Sequence, residues 1–130
     1  ILLLNLIEQI WMAGVGASVS LAVSHQDQVV IPPAGAVTLA RSAHTDHAML
    51  EYTDAPVMSM QGHPEFGDDF VAALYAARRG RLSDEQVDGA IASLAERHDN
   101  EMVGRWMARF LRVGGKARDY FCLNNRADAT

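Results

Sequence analysis

Cysteine is nearly missing from this sequence: Cys122 stands alone. No intrachain disulfide can form, which suits a reducing cytoplasm. Positive charge is scarce as well, with 11 Lys and Arg against 16 Asp and Glu and a net charge of −5. A nucleic-acid backbone or an anionic membrane needs a basic face, so neither is expected as a partner. The short cluster Arg78-Arg79-Gly80-Arg81 reads as a helix end, where cations suit the dipole. Long apolar runs are lacking too. Ile1 to Ile10 is broken by Asn5, Glu8 and Gln9 and is too short to span a bilayer. A secretory leader is not expected, because the segment has neither basic residues ahead of it nor a small-residue cleavage site. Gly14-Val15-Gly16 lacks the third glycine and the flanking strand and helix of a phosphate-binding loop.

What remains is ordinary globular composition. The 130 residues are 49% hydrophobic and 21% charged, enough for one domain with a single core. Residues 1 to 11 place Leu3, Leu6, Ile7, Ile10 and Trp11 close to a helical stripe, widened by Leu2 and Leu4. Met12 to Gly16 reads as a small-residue loop. From Val19 the period is that of strands, over Val19 to Val23, Val29 to Ile31, Val37 to Ala40, Ala48 to Tyr52 and Val57 to Met60. Their close spacing predicts antiparallel hairpins rather than βαβ crossovers.

After Phe66 the pattern turns helical. Phe70, Val71, Leu74 and Tyr75 line a helix ending near Gly80. Ser83 and Gln86 form a capping box ahead of Val87, Ala90, Ile91 and Leu94. Asp99 or Asn100 can cap a third helix, in which Met102, Val103, Trp106, Met107, Phe110 and Leu111 repeat at helical spacing until Gly114-Gly115. Its Met and Trp residues are read as core packing. Residues 116 to 130 read as an irregular tail.

The chemistry-bearing stretch is Val57 to Phe66, an apolar strand running into Gln61-Gly62-His63-Pro64-Glu65-Phe66. Pro64 biases His63 toward an extended backbone, in which side chains two residues apart share a side. His63 and Glu65 are therefore expected to pair, with the carboxylate on one imidazole nitrogen and the other nitrogen free, the base-and-orienter half of a catalytic triad. The spacing alone also allows an ordinary surface pair. His44 and His47 lie in a polar turn with only Asp46 near them, which favours a solvent-facing loop over a metal pair. His98 closes a helix, where it suits the dipole.

Gln61 to Phe66 closely resembles the His/Glu motif of class I glutamine amidotransferases. Ser24-His25-Gln26-Asp27-Gln28-Val29 resembles a second signature of the branch whose amidotransferase domain is like that of GMP synthetase. Pro32-Pro33-Ala34-Gly35-Ala36 and Leu39 to Ser42 also fit, so the resemblance spans roughly residues 19 to 113. It implies an α/β domain of flavodoxin-like type that hydrolyses glutamine to glutamate and ammonia by a Cys-His-Glu triad, without a cofactor or metal. By that resemblance His63 is the general base and acid, Glu65 its orienter, and Ser24, His25 and Gln26 line the glutamine pocket. A local reading needs only turn bonds for Ser24 and Asp27 and a structural histidine at His25.

The family's nucleophile sits in a Gly-x-Cys-x-Gly elbow, and this sequence contains none. Cys122, within Tyr120-Phe121-Cys122-Leu123-Asn124, lacks the glycines and follows the His in chain order, so it reads as an idle or buried thiol. The chain opens on Ile rather than Met and is expected to correspond to the C-terminal portion of such a domain. The cysteine would come from a companion polypeptide or an N-terminal part, and self-association is left open. Two alternatives stand beside this reading. One is a γ-glutamyl peptide hydrolase using the same triad. The other is a non-catalytic amidotransferase-like subunit that binds a partner through residues 1 to 11.

Overall fold

The computed structural model describes residues 2–6, 11, 12 and 18–113, the first of these stretches and Val113 by backbone alone. It is a mixed α/β structure. Strands β1 (Leu2–Leu6), β2 (Ser18–Leu21), β3 (Ala36–Arg41), β4 (Met49–Tyr52) and β5 (Val57–Met60) precede helices α1 (Asp68–Ala76), α2 (Asp84–Ala92) and α3 (Asn100–Val113). The five strands form one sheet in the order β2-β1-β3-β4-β5, and every pairing is antiparallel. β3, β4 and β5 make the hairpins that the spacing predicts. Among the described residues no helix is long and apolar enough to cross a membrane.

Leu2–Leu6 is a strand, which corrects the first half of the helical stripe expected over residues 1 to 11; residues 1 and 7–10 lie outside the described residues. β1 lies between β2 and β3 and is hydrogen-bonded on both sides. A short run of consecutive apolar residues suits such a central strand, and periodicity over so few residues cannot separate the two. Val29 to Ile31 forms no strand either; Val30 and Ile31 are 76% and 83% exposed. A β-branched run has no strand to form without a neighbouring strand to bond it. The expected loop at Met12 to Gly16, apart from Met12, the glycine pair after α3 and the tail over 116 to 130 lie outside the described residues.

Among the described residues the buried side chains form two groups. The larger joins Val19, Leu21, Leu39, Ala40, Ala48 and Met49 of the sheet region to Val103, Trp106 and Phe110 of α3, with Trp11 edge-on to Phe110 at 5.3 Å between ring centroids. The smaller joins Ala22 to Val71 and Tyr75 of α1 and Val87 of α2. α3 buries a narrower stripe than its spacing predicts. Met107 and Leu111 are 38% and 80% exposed, because the helix meets the sheet along only the Val103, Trp106 and Phe110 line. On α1 the buried pair is Val71 and Tyr75, while Phe70 is largely exposed. The capping box of α2 forms as expected, with Ser83 accepting from the Gln86 N–H and Gln86 reaching back to the Ser83 N–H.

The sheet is not open at both ends. Past β2 and β5 its two edges come together, where Val23 and Gly62 form an antiparallel bridge and the His63 N–H donates to the Ala22 carbonyl at 2.9 Å. Gly62 is required at this seam. A Cβ there would lie 2.7 Å from Leu21 Cδ1 and 3.0 Å from Leu21 Cβ, and Leu21 is itself fully buried, so it has little room to give. Gly62→Ala is expected to cost about 1–3 kcal/mol of overpacking and to shift the His63 resonances. A variant as stable as the parent in a urea titration, with His63 unmoved, would refute this account of the seam.

Candidate functional site

His63 leaves the seam one residue after the bridge, and the chain then turns back. The Phe66 N–H donates to the His63 carbonyl at 3.2 Å, which makes Pro64 and Glu65 the central residues of a β-turn, with proline in the position its fixed φ favours. His63 Nδ1 and Glu65 Oε1 stand 2.8 Å apart. The two side chains do meet, but across a turn rather than along an extended segment, because the His63 carbonyl satisfies the Phe66 N–H and bends the chain. Since the carboxylate can only accept, Nδ1 carries the proton and Nε2 is left as the basic nitrogen. Among the described residues nothing bonds Nε2, and the His63 side chain is 32% exposed.

Two residues that the spacing did not single out hold this pair. Phe66 lies flat on the imidazole, with ring centroids 4.2 Å apart and planes 5° from parallel, and packs in turn on Phe70 at 4.9 Å. Asn100, at the start of α3, donates from Nδ2 to the Phe66 carbonyl at 2.9 Å and so ties the turn to the helix. The aromatic after Glu65 was visible in the motif; the Asn100 bond spans 34 residues and leaves no local trace.

The Glu65 carboxyl titrates below its ordinary value of 4.5. Slight burial pushes it up, but the hydrogen bond to His63, its own backbone N–H and the charge on His63 together outweigh that. With the folded value depressed, whatever the pair contributes is present above 4.5 and is lost as pH falls through the lower native value. An NMR titration of the Glu65 side-chain carbon should therefore give a midpoint under 4.5 that moves back up in His63→Ala. A midpoint indifferent to that substitution would mean the pair does not form in solution.

Ser24, His25 and Gln26 follow Val23 out of the seam into a cleft of about 410 Å³. Its other walls are His44 and Thr45 from the β3–β4 connection, and Tyr75, Arg78, Leu82, Val87 and Ala90 from the α1–α2 region. Tyr75 anchors the loop by donating its hydroxyl to the Val23 carbonyl at 2.8 Å, and burial holds that phenol above its usual value against the opposing charge of Arg78. Ser24 Oγ and His25 Nδ1 are shut from solvent with no hydrogen-bond partner among the described residues, so the local turn bond drawn for Ser24 does not form. His63 and Glu65 do not line this cleft. The expected catalytic and substrate-binding residues thus share a seam but not a cavity.

The remaining candidates resolve simply. His47 is half-buried and hydrogen-bonds Thr38 Oγ1 through Nδ1 at 2.7 Å, while His44 is exposed, its N–H bonded to Ser42 Oγ at 3.1 Å. Among the described residues no three His, Cys, Asp or Glu side chains gather as a metal site would require. His98 donates from Nε2 to the Leu94 carbonyl at 2.9 Å, closing the turn after α2 as expected. Cys122 lies outside the described residues. Comparison with protein-family models, with curated proteins and with solved structures returns no match for this chain.

Proposed function

We propose that this protein is amidotransferase-like, contributing the histidine and glutamate of a Cys-His-Glu triad that hydrolyses glutamine to glutamate and ammonia. The observation that carries the reading is the His63–Glu65 pair at 2.8 Å, on a His63 side chain that is 32% exposed and whose Nε2 has no partner among the described residues. A base oriented by a carboxylate, with its second nitrogen open, can take the proton of a thiol and return it to the departing ammonia. The resemblance of Gln61 to Phe66 and of Ser24 to Val29 to class I amidotransferases gives the substrate class. On the same ground the antiparallel sheet would be the hairpin part of a flavodoxin-like domain. Ser24, His25 and Gln26 would hold the ends of glutamine through backbone groups near the seam.

The thiol has to come from outside the residues described, from a companion polypeptide or another part of the protein, since no Gly-x-Cys-x-Gly elbow is present. The purified chain is therefore expected to release no ammonia from L-glutamine, yet L-glutamine should shift the His63 and Ser24 to Gln26 resonances. Turnover abolished by Cys122→Ser would place the nucleophile within this chain. Silence of His63 on adding L-glutamine would count against the amidotransferase reading and leave the non-catalytic binding subunit, which the separation of dyad and cleft also favours.

A further inference from the structure

We propose that the cleft between the Ser24–Gln26 loop and the α1–α2 region is a binding site for a small carboxylic acid with an apolar body, separate from the His63–Glu65 dyad. The volume of about 410 Å³ is that of a small-molecule site. One wall is hydrocarbon, from Leu82, Val87 and Ala90, and Leu82 is left 44% exposed by the fold. The same wall carries Arg78, whose carbonyl accepts from the Leu82 N–H at 3.1 Å and whose guanidinium makes no ion pair or side-chain hydrogen bond among the described residues.

In a chain of net charge −5 an arginine commonly finds a carboxylate, as Arg79 does next door with Asp84 and Asp88. Arg78 has none, and among the described residues no Asp or Glu lines the cleft. The cleft therefore offers a positive charge for which no anion of the described residues competes. A planar guanidinium matches a carboxylate through two parallel bonds. A single cation suits a monoanion better than a phosphate dianion, whose second charge would be uncompensated. Ser24, His25 and Gln26 add polar residues to the same lining. The Tyr75 bond to Val23 holds the loop in place, so the site is formed before anything binds.

This inference uses side chains that the dyad does not touch and stands without the glutamine reading. Its test is NMR titration of the whole chain with phenylacetate and with 2-phenylacetamide, the same body without the charge. Phenylacetate is expected to bind with a dissociation constant on the order of 1 mM, as a fragment of its size can, shifting Ser24 to Gln26, Tyr75 and Ala90. The amide should bind about ten-fold or more weakly, as should phenylacetate to Arg78→Gln, since in each the bidentate pairing of two opposite charges is lost. Arg78→Lys should fall between, and His63→Ala should bind like the parent.

Equal binding of acid and amide, or no saturable binding of either, overturns the proposal whether or not the variants fold. Inorganic phosphate binding more tightly than phenylacetate overturns the carboxylate assignment. L-Glutamine competing with phenylacetate would merge the cleft with the substrate pocket and overturn the separate site, while leaving the amidotransferase reading intact. Glutamine that shifts His63 without competing supports both.

Discussion

Asp99→Ala is expected to lower the unfolding free energy by about 3 kcal/mol, through a charged hydrogen bond lost and a buried donor left unpaired. Asp99 is 8% exposed and joins α3 to the outer edge of the sheet. Its Oδ2 accepts from the Ser20 N–H at 2.9 Å, and its own N–H donates to the Ser20 carbonyl at 2.9 Å. Oδ1 takes Arg97 at 2.8 Å from Nε. The carboxylate thus acts as the missing neighbour of edge strand β2, satisfying a backbone N–H that water cannot reach. Alanine removes the acceptor and orphans that N–H. Arg97 is mostly exposed and loses little, because water replaces its partner. Asn, which keeps an acceptor without the charge, should cost about 1–2 kcal/mol. Urea denaturation followed by circular dichroism measures both, and an alanine variant within experimental error of the parent would show that β2 is held some other way.

Trp106→Ala should cost about 3–5 kcal/mol, the range for emptying a buried aromatic site. Trp106 is fully buried in the cluster that joins α3 to β2, β3 and β4. Domains are stable by only about 5–15 kcal/mol, so the variant should be partly unfolded at modest urea concentrations. Leu111→Ala on the same helix is the control. Leu111 is 80% exposed, and its loss should fall within about 0.5 kcal/mol of neutral. Comparable losses at the two positions would mean that α3 packs on a different face.

Neither effect could have been ranked from the sequence with equal success. Trp106 sits on an evident apolar stripe, yet Met107 and Leu111 sit on it too, and only the angle at which α3 crosses the sheet separates buried from exposed. Asp99 was legible as a helix-start residue, as was the capping box at Ser83 and Gln86, because such bonds join neighbours. That its carboxylate would go to Ser20, 79 residues away, has no local signature. β1 was misread for a related reason: consecutive leucines satisfy either period, and the strand exists because β2 and β3 flank it.

By itself the sequence determined the alternation of β3 to β5, the presence of all three helices, and a histidine and a glutamate close enough along the chain to pair. These depend on residues two to four apart, whose geometry the backbone dictates. The tertiary structure alone decided that the edges of the sheet meet at Gly62 and that Asn100 and Phe66 hold the dyad's turn. It also decided that Arg78, Ser24 and His25 line one cleft, which His63 and Glu65 do not. Those contacts join residues tens of positions apart, brought together by burial of apolar surface, which has no direction of its own and is settled only when every element packs at once.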